Sequence, residues 1–421
     1  MYLSDTSLPP ALLPHAYHDP AIAAAEREHV LAPAWHPVAT TGQLAEPGQF
    51  ITAQLLGVPL VVRRFGVDET TTVALRNVCA HRHCTIVEAA AGTAEKLRCP
   101  YHGWEYGADG LTRRIPKAKN FPHFDRDAHQ LDRFAVDRCG EVVFVQLAEG
   151  PSLREWLGEY AAVLEERTAA PLYRVTMART LPCEANWKIP LEGSLESYHL
   201  PDVHAATFGP DSDPGEEHSH HRIEPGFTSF WTTHRQPSLI TRAEDWAQRR
   251  LGIAQPDGRY EHHHLFPNLM IAVTGSITLL TCVVPTSPTT SELRCWQWGR
   301  QSTGRRLRDR VVGRTTAYWL GRSASAASLK VVEEDVAIFP RVQRGIEGAG
   351  AAGRLGRCEE RLHAFQSFVA ERLGDAIDAA ATPDAFAAAA AKPPHETTAT
   401  DSITSNDSIT VNETTATTAP A

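Results

Sequence analysis

The chain has 421 residues, 42% of them hydrophobic, and its formal net charge is −9 at pH 7. This length and hydrophobic content are enough for a large buried core, which predicts two domains. The negative charge argues against a protein that binds nucleic acid or an anionic membrane surface. The most apolar stretch, 268–285, is interrupted by polar residues, so it predicts two strands and no membrane span.

The first 150 residues predict a helical arm followed by a small all-β domain. Asp19 and Pro20 form an N-cap and first-position pair, and the helix that they open continues to about Leu31. We assign residues 1–35 to this arm and residues 36–150 to the β domain. The predicted strands of the β domain are short runs at 49–55, 59–64, 71–78 and 141–147.

Two short clusters of potential metal ligands lie in the β domain. Cys79-Ala-His81 and Cys99-Pro-Tyr-His102 each pair one thiolate with one imidazole. Two Cys and two His can hold either a tetrahedral zinc ion or a two-iron cluster with both Cys on one iron and both His on the other. Zinc sites usually place two Cys in one cluster and two His in the other. The mixed clusters therefore favour a [2Fe–2S] unit held from two sides, with a zinc ribbon as the alternative.

The second half of the chain predicts an α+β domain, residues 151–381, which begins with a capping box at Ser152–Glu155. Strands and helices alternate there without a strict βαβ rhythm, which predicts a layered fold around a pocket. From 382 to 421 the composition is rich in Thr, Ser and Ala, which predicts a disordered tail. The predicted strands are 173–180, 228–235, 260–274, 277–285 and 292–299, and the predicted helices lie near 187–204, 304–320, 326–339 and 357–373.

Two histidines in the predicted helix 187–204 are candidates for a second metal site. Non-haem Fe(II) sites use two His and one carboxylate on one face of the iron. His199 and His204 are five residues apart, which separates them by about 140° on a regular helix. Pro201 would distort that helix and allow both side chains to reach one metal. Taken alone, the residues favour two ordinary helix histidines, and a metal site is the alternative.

The candidate for the third ligand is Asp335. Val332, Val336 and Phe339 define an apolar stripe on the predicted helix 326–339, and Asp335 lies within it, whereas Glu333 and Glu334 point away. A carboxylate on a buried face needs a partner, and a metal ion is one. Glu334 is the next candidate, and a solvated acidic run is the alternative.

Other histidine-rich segments, 216–221 and 262–264, predict surface polar loops. The sequence contains no Gly-rich phosphate loop and no flavin or nicotinamide fingerprint. Electrons from NAD(P)H would therefore have to reach this chain from another protein.

The two metal segments resemble those of a known family. Cys79-x-His81 and Cys99-x-x-His102, followed by Gly-Trp, are similar to the cluster-binding loops of Rieske proteins, in the form found in Rieske non-haem iron oxygenases. Asn-Trp-Lys and then Glu-x-Tyr-His-x-x-x-x-His, within 186–204, resemble the start of the catalytic domain of these oxygenases, and 331–345 resembles the segment with their third ligand. The chain departs from the family at His83, where Gly is common, and at Gly193, where Asn is common.

The resemblance implies the α (oxygenase) subunit of such an enzyme, with a Rieske β domain and a helix-grip catalytic domain built on an antiparallel sheet. Glu196, three residues before His199, would bridge to a cluster-binding His of a neighbouring subunit in a ring of three and pass the electron. A separate NAD(P)H-dependent reductase, with or without a ferredoxin, would supply the electrons. The implied ligands are Cys79, His81, Cys99 and His102 for a [2Fe–2S] cluster, and His199, His204 and Asp335 for a mononuclear Fe(2+).

The expected reaction is an O₂-dependent hydroxylation of a small organic substrate. Glu196 and the N-terminal segment resemble members similar to carnitine, choline and glycine-betaine oxygenases, which favours monooxygenation or oxidative demethylation of a quaternary amine. A ring-hydroxylating dioxygenase that forms cis-diols is the first alternative, and a Rieske electron carrier fused to a binding domain is the second. Thiolate ligands favour a reducing compartment, so we expect the cytoplasm.

Overall fold

The structure is a computed structural model that describes residues 2–67, 71–233, 259–302 and 307–374. The described residues belong to one compact unit that spans residues 1–380. The predicted tail, 382–421, lies outside the described residues, as do the first residues of the predicted helix 304–320 and the end of the predicted strand 228–235.

The N-terminal half of the described chain is built from short antiparallel strands. Their bounds are β1 Trp35–Thr40, β2 Gln49–Leu55, β3 Val58–Arg64, β4 Thr72–Arg76, β5 Ala91–Thr93, β6 Leu97–Arg98, β7 Glu105–Tyr106, β8 Thr112–Arg114, β9 Arg133–Cys139 and β10 Val142–Gln146. One sheet has the order β1-β10-β9-β4-β3-β2-β5, and a second small sheet has the order β6-β7-β8. The second candidate metal loop, 99–104, joins β6 to β7, so the hydrogen bonds of that small sheet fix both of its ends.

The C-terminal half contains a second large sheet, which is entirely antiparallel in the described residues. Its strands are β11 Tyr173–Cys183, β12 His220–Glu224, β13 Phe227–Thr232, β14 Tyr260–Leu265, β15 Leu269–Val273, β16 Ile277–Ser287 and β17 Thr290–Arg300. Their order is β11-β17-β16-β15-β14-β13-β12. The α+β class and the antiparallel catalytic sheet are therefore confirmed. The single predicted strand 260–274 is wrong, because the chain turns at 266–268, where Pro267 has no N–H to donate to a ladder.

Helices cover the C-terminal sheet and form the N-terminal arm. Their bounds are Pro20–Ala25 with a π-helical continuation Glu26–Leu31, Leu153–Leu157, Tyr160–Thr168, Lys188–Gly193, Leu200–Val203, Gly215–His218, Leu307–Glu347 and Glu360–Leu373. Asp19 caps the first helix, as predicted, by accepting hydrogen bonds from the backbone of Ala21 and Ile22. No described helix is long and apolar enough to cross a membrane.

Two predicted helix boundaries are wrong. The helices predicted at 304–320 and 326–339 form one continuous helix, Leu307–Glu347. The helix predicted at 187–204 is instead broken into Lys188–Gly193 and Leu200–Val203. In the long helix, Pro340 lies inside the last turns without ending it.

A buried ion pair fastens the N-terminal arm to the C-terminal domain. The Lys188 ammonium lies 2.5 Å from Glu26 Oε1 and donates to the Ala16 carbonyl oxygen at 2.9 Å, while Trp187 Nε1 donates to Glu26 Oε2 at 2.7 Å. Lys188 and Glu26 are almost completely buried. Breaking such a pair costs about 3–5 kcal/mol, because the remaining charge stays buried alone. The segment that follows Trp187 and Lys188 is therefore held firmly, and it contains the second candidate metal site.

Candidate metal centres

The two loops of the first candidate centre share one hydrogen-bond pattern. Cys79 N–H donates to the Cys84 carbonyl, and His83 N–H donates to the Cys79 carbonyl. In the second loop Cys99 N–H donates to the Trp104 carbonyl, and the N–H of the glycine at 103 donates to the Cys99 carbonyl, at the same 2.8 and 3.0 Å. The loops are therefore local equivalents, although one has Cys-x-His and the other Cys-x-x-His.

This equivalence explains the unusual residue at position 83. Gly103 has φ +72°, and its counterpart His83 has φ +57°, so both occupy the left-handed region. Glycine adopts this region without a steric penalty, whereas a side chain costs about 1–2 kcal/mol. A Cβ at Gly103 would also lie 2.8 Å from Arg98 Nη2. His83 is exposed and keeps the same backbone conformation, so the departure leaves the loop geometry intact.

The ligand side chains of the two loops are grouped by type, with the two thiols together and the two imidazoles together. The buried Cys79 and Cys99 thiols are neighbours, and the rings of His81 and His102 have centroids 4.7 Å apart. A pair of thiols beside a pair of imidazoles is the arrangement in which one iron takes both Cys and the other takes both His. Nδ1 of His81 is buried and has no hydrogen-bond partner in the described chain, as a metal-binding nitrogen requires. These residues fit a [2Fe–2S] cluster.

Two aromatic residues that the sequence analysis did not assign support the loops. Tyr106 Oη lies 3.0 Å from Cys79 Sγ and accepts a hydrogen bond from Ala80 N–H. A thiolate at Cys79 would accept the hydroxyl proton of Tyr106, because a thiolate cannot donate. Trp104 is buried and stacks on His81 with an interplanar angle of 5°. His102 remains exposed at the tip of the domain.

The second candidate centre brings together His199, His204 and Asp335. One ligand atom from each residue lies within 4.8 Å of the others. Asp335 Oδ1 is 3.0 Å from His204 Nε2 and 3.8 Å from His199 Nε2. The two histidines flank the short helix Leu200–Val203, one at each end. Convergence therefore results from a break in the predicted helix, because each histidine adopts the backbone conformation of a helix end.

A carboxylate lies behind each histidine. Glu334 accepts from His204 Nδ1 at 2.8 Å and from the Thr207 hydroxyl at 2.7 Å, and Glu196 accepts from His199 Nδ1. Each acceptor fixes the proton on Nδ1 and leaves Nε2 free to face Asp335. The prediction that Glu334 points away is wrong, since its partners come from a segment remote in sequence. Its neighbour Glu333 is exposed, as predicted.

The charges of this centre suit a cation. The hydrogen bonds from His204 and Thr207 hold the pKa of Glu334 below its usual range. Burial alone would lower the pKa of His204, but the adjacent Asp335 and Glu334 outweigh it and raise that pKa. Two nitrogens and one carboxylate oxygen that converge on one point, with His204 buried, are the ligand set of a non-haem Fe(II) site.

Glu196 lies at the edge of an acidic surface. Its side chain is 9% exposed, and the neighbouring Tyr198 is half exposed and donates to Glu359. Burial and the negative charge of Glu196 raise the pKa of Glu359. Asp213, which accepts from the Ser197 hydroxyl, adds a further carboxylate.

The second departure from the family, Gly193, is explained by a neighbouring side chain. A Cβ at this position would lie 2.9 Å from Cε1 of Phe339, which follows Asp335 by one helical turn. Phe339 is buried and occupies the space beside the metal segment. A larger residue at 193 and a phenylalanine at 339 therefore exclude each other.

The prediction of surface loops is wrong for the histidines of β12 and β14, whereas His218 is exposed. His262, His263 and His264 are buried on β14. His221 on β12 is also largely buried, and its Nδ1 lies 2.7 Å from Glu360. Three consecutive polar residues lack the alternating pattern that predicts a strand. In the structure they lie on β14, and both faces of that strand are covered.

Comparisons with known proteins agree with this architecture. Residues 157–375 match the model of the ring hydroxylating alpha subunit (catalytic domain), and residues 34–125 match the Rieske [2Fe-2S] domain. Choline monooxygenase, chloroplastic, of Spinacia oleracea is 27% identical over 367 residues, which cover 85% of this chain and 77% of that protein. The carnitine monooxygenase oxygenase subunit of Escherichia coli K12 is 25% identical over 342 residues, which cover 78% of this chain and 82% of that protein.

Solved structures show the same fold. The quaternary ammonium Rieske monooxygenase CntA in complex with L-carnitine has a TM-score of 0.64 and 19% identity, with 87% of this chain and 95% of that chain covered. A naphthalene 1,2-dioxygenase with indole in its active site has a TM-score of 0.66 and 17% identity, with 90% and 95% covered. Both domains therefore have the expected fold, and their boundaries at 36, 151 and 381 stay predictions.

Proposed function

Because the chain belongs to the ring-hydroxylating α-subunit family, whose model matches just over half of its length, we propose that it is the terminal oxygenase component of a multicomponent Rieske oxygenase. The observation that supports this most strongly is the convergence of His199, His204 and Asp335 in a chain that also has two Rieske-type loops. A Rieske carrier with a binding domain would not need this convergence.

The proposed reaction is monooxygenation of a quaternary amine. The curated relatives described above are named for choline and carnitine. One oxygen atom of O₂ enters a C–H bond of the substrate, and the other leaves as water after a pair of electrons and a pair of protons are added. Hydroxylation of an N-methyl carbon gives an unstable N–CH₂OH group, which releases formaldehyde and completes a demethylation. Dihydroxylation of an arene is the alternative, because the same fold occurs in a naphthalene dioxygenase.

The protein groups have separate roles in this proposal. When bound, the [2Fe–2S] cluster supplies single electrons and the mononuclear iron activates O₂. His199, His204 and Asp335 hold the iron, and Glu334 and Glu196 orient the two imidazoles. The Tyr106 hydroxyl would donate to the Cys79 thiolate when that residue holds the cluster and would stabilise its negative charge.

We further propose that the chain forms a homotrimer in which electrons cross between subunits. The tip of the Rieske domain exposes His102 and Tyr101, and Arg82 lies over the Tyr101 ring. The surface around Glu196 and Glu359 is acidic. Opposite charges on two different patches of one chain favour a head-to-tail contact, which closes into a ring. Glu196 of one subunit would then join His199 to a cluster imidazole of the next.

The remaining partners follow from the chemistry. A separate NAD(P)H-dependent reductase, with or without a ferredoxin, supplies electrons at the exposed edge of the cluster. The thiolate ligands favour a reducing compartment, which we propose to be the cytoplasm.

The substitution Glu196→Gln tests the proposed electron path. Glutamine retains an oxygen that can accept from His199 Nδ1 but removes the charge, so we expect both metal centres to remain and turnover to be almost abolished. Rapid-mixing spectra of the reduced cluster, recorded with O₂ and substrate present, would show slow reoxidation. The matched control is Glu217→Gln on the exposed helix Gly215–His218, for which we expect normal rates. Normal turnover in Glu196→Gln would refute the assignment.

A further inference from the structure

The two histidines of the Rieske loops have different surroundings. His102 is exposed, and its ring contacts the exposed Tyr101 ring at a centroid distance of 3.8 Å. His81 is only partly exposed, and its ring contacts Trp104 and Phe121, at centroid distances of 4.7 and 5.6 Å. The Rieske domain therefore has two separate edges through which an electron could pass, one at each imidazole.

On the side of His81, one aromatic side chain separates the imidazole from the surface. Phe121 meets the rings of His81 and Trp104 edge-to-face, at 5.6 Å in both cases. Phe121 is itself only partly buried. A protein that rests on Phe121 is thus one side chain away from a cluster ligand. Because electron tunnelling slows steeply with distance, this thin cover suits the entry of an electron.

The loop that carries Phe121 is fastened to the small sheet of the Rieske domain. It connects β8 to β9 and includes a short 3-10 helix, Ala118–Asn120. The N–H of Phe121 donates to the first carbonyl of that helix at 3.0 Å. Farther along, the Arg126 guanidinium donates to the carbonyl of Thr112 on β8. The loop therefore holds Phe121 in a defined position over His81.

The same loop is rich in positive charge. Residues 111–120 contain four basic side chains and no acidic one, in a chain whose net charge is −9. All four are exposed, namely Arg113, Arg114, Lys117 and Lys119. The two arginines form ion pairs with Asp109 and Glu105, whereas the two lysines flank the turn that leads to Phe121. The next acidic residue, Asp125, follows Phe121 and accepts hydrogen bonds from the backbone behind it.

Residues 113–124 thus form a surface that combines positive charge with a thin cover over a cluster ligand, and we name it the entry surface. Complementary charge steers two proteins together and raises association rates by about tenfold to a thousandfold. The partner that fits has acidic residues around its own redox centre. It must also be a one-electron carrier, because a [2Fe–2S] cluster takes up a single electron at a time.

We propose that the entry surface receives electrons from an acidic [2Fe–2S] protein or domain of the ferredoxin type, on the side of His81, while His102 faces the neighbouring subunit. This inference rests on the proposed function, in which Tyr101, His102 and Arg82 contact the acidic surface of the next subunit. One electron passes from the reduced donor, which is oxidised, to the Rieske domain, which is reduced, and no covalent bond forms or breaks. Plant-type ferredoxins have lower reduction potentials than Rieske centres, so this transfer is downhill.

Binding of an acidic plant-type [2Fe–2S] ferredoxin, used as the probe, tests the entry surface. Calorimetric titration of the holoprotein at about 0.05 M salt compares the wild type with Lys117→Glu/Lys119→Glu. We expect the dissociation constant of the variant to be at least about tenfold higher, and the difference to shrink at about 0.5 M salt, where exposed charges are screened.

The control is Arg174→Glu/Arg179→Glu, an equal charge change at two exposed residues of β11, which should bind the probe like the wild type. Equal dissociation constants for the lysine and arginine variants would overturn the inference. Failure of the wild type to bind the probe at low salt would overturn it as well.

Rapid-mixing spectra follow electron transfer itself. Reduction of the oxidised lysine variant by reduced ferredoxin, at limiting ferredoxin, should be at least about tenfold slower than reduction of the wild type. Reduction by dithionite needs no docking surface and should differ much less between the two proteins. Equal slowing with both reductants would assign the effect to the cluster and contradict a docking role.

Sedimentation velocity separates the entry surface from the contact between subunits. Lys117→Glu/Lys119→Glu should assemble like the wild type, because these lysines lie on the side of His81. Loss of assembly in this variant would place the lysines in the subunit contact and overturn the proposal.

A single turnover of chemically reduced protein separates this inference from the proposed function. Such protein needs no partner, so product formation from a quaternary amine and O₂ tests the oxygenase alone. Product formation together with unchanged ferredoxin binding in the lysine variant would refute the entry surface and leave the oxygenase assignment intact. Absence of product from every quaternary amine would refute the proposed substrate, while weaker ferredoxin binding in the lysine variant would still support the entry surface.

Discussion

At the scale of single residues, the candidate iron site depends on groups behind the ligands as much as on the ligands. His199 and His204 each give their Nδ1 proton to a carboxylate, so both Nε2 atoms face Asp335. The family resemblance of 331–345, supported by the apolar stripe of the helix, predicted Asp335 as the third ligand, and the structure places its carboxylate beside both histidines. The role of Glu334 could not be predicted in this way, because a helical wheel shows only what its own helix buries and Thr207 belongs to another segment.

Glu334→Gln should weaken iron binding without preventing it. The amide is a poorer acceptor from His204 Nδ1–H and lowers the basicity of that imidazole, so we expect the affinity for Fe(2+) to fall by about tenfold to a hundredfold. Anaerobic titration of iron-depleted protein measures this directly. Glu333→Gln is the matched control, since its side chain is exposed on the same helical turn. Equal affinities for the two variants would contradict the role given to Glu334.

At the scale of elements, interruptions of regular secondary structure position the site residues more than the regular stretches do. The periodic pattern of 187–204 predicted one helix, whereas the histidines converge because the chain leaves the helix after Gly193 and forms only one turn at Leu200–Val203. Four of the ten described strands of the β domain, β2, β3, β4 and β10, were predicted nearly to their observed ends, because each is a short apolar run. The other six strands were not predicted. The buried run His262–His264 gave no such signal, since polar residues face both sides of β14.

One contact between elements predicts how stability depends on pH. His36, fully buried on β1, donates from Nε2 to the Leu31 carbonyl and accepts from Asn268 in the turn after β14. Burial lowers its pKa to about 4, and the charge of Arg294 acts in the same direction. In the unfolded chain the pKa is about 6.5, so between these values the unfolded state binds the additional proton. The stability is therefore complete above about pH 6.5 and is lost as the pH falls toward 4.

Unfolding by urea at pH 7.0 and at pH 5.5 measures this effect. His36 alone should reduce the free energy of unfolding by about 1 kcal/mol over this interval. His36→Gln does not titrate, so its free energy of unfolding should change less between the two pH values than that of the wild type. The same slope in both proteins would show that His36 is not the source.

At the scale of the whole molecule, the charges are unevenly distributed. The chain has a net charge of −9, yet the tip of its Rieske domain exposes Arg82 beside Tyr101 and His102. Carboxylates gather instead around Glu196 and Glu359. The sequence predicted both metal segments, but it could not reveal that Glu359 lies beside Glu196, because that proximity arises only from folding.

Arg82→Glu should weaken the proposed trimer. Reversing the charge places like charges opposite each other at the head-to-tail contact, so we expect the dissociation constant to increase by about tenfold or more, with a larger effect at low salt. Sedimentation velocity at two ionic strengths provides the measurement. Arg154→Glu, an equal charge change at an exposed residue of the helix Leu153–Leu157, is the control. An unchanged assembly in Arg82→Glu would exclude this surface as the contact.

The central claim is that one chain holds both a Rieske cluster and a mononuclear iron. Iron and sulfide analysis of the purified protein, combined with its visible spectrum before and after reduction, tests it most directly. We predict about three iron and two inorganic sulfides per chain, with an absorption near 450 nm that bleaches on reduction. In Asp335→Ala the iron content should fall to about two with the absorption unchanged. Colourless protein with about one zinc per chain would contradict the account.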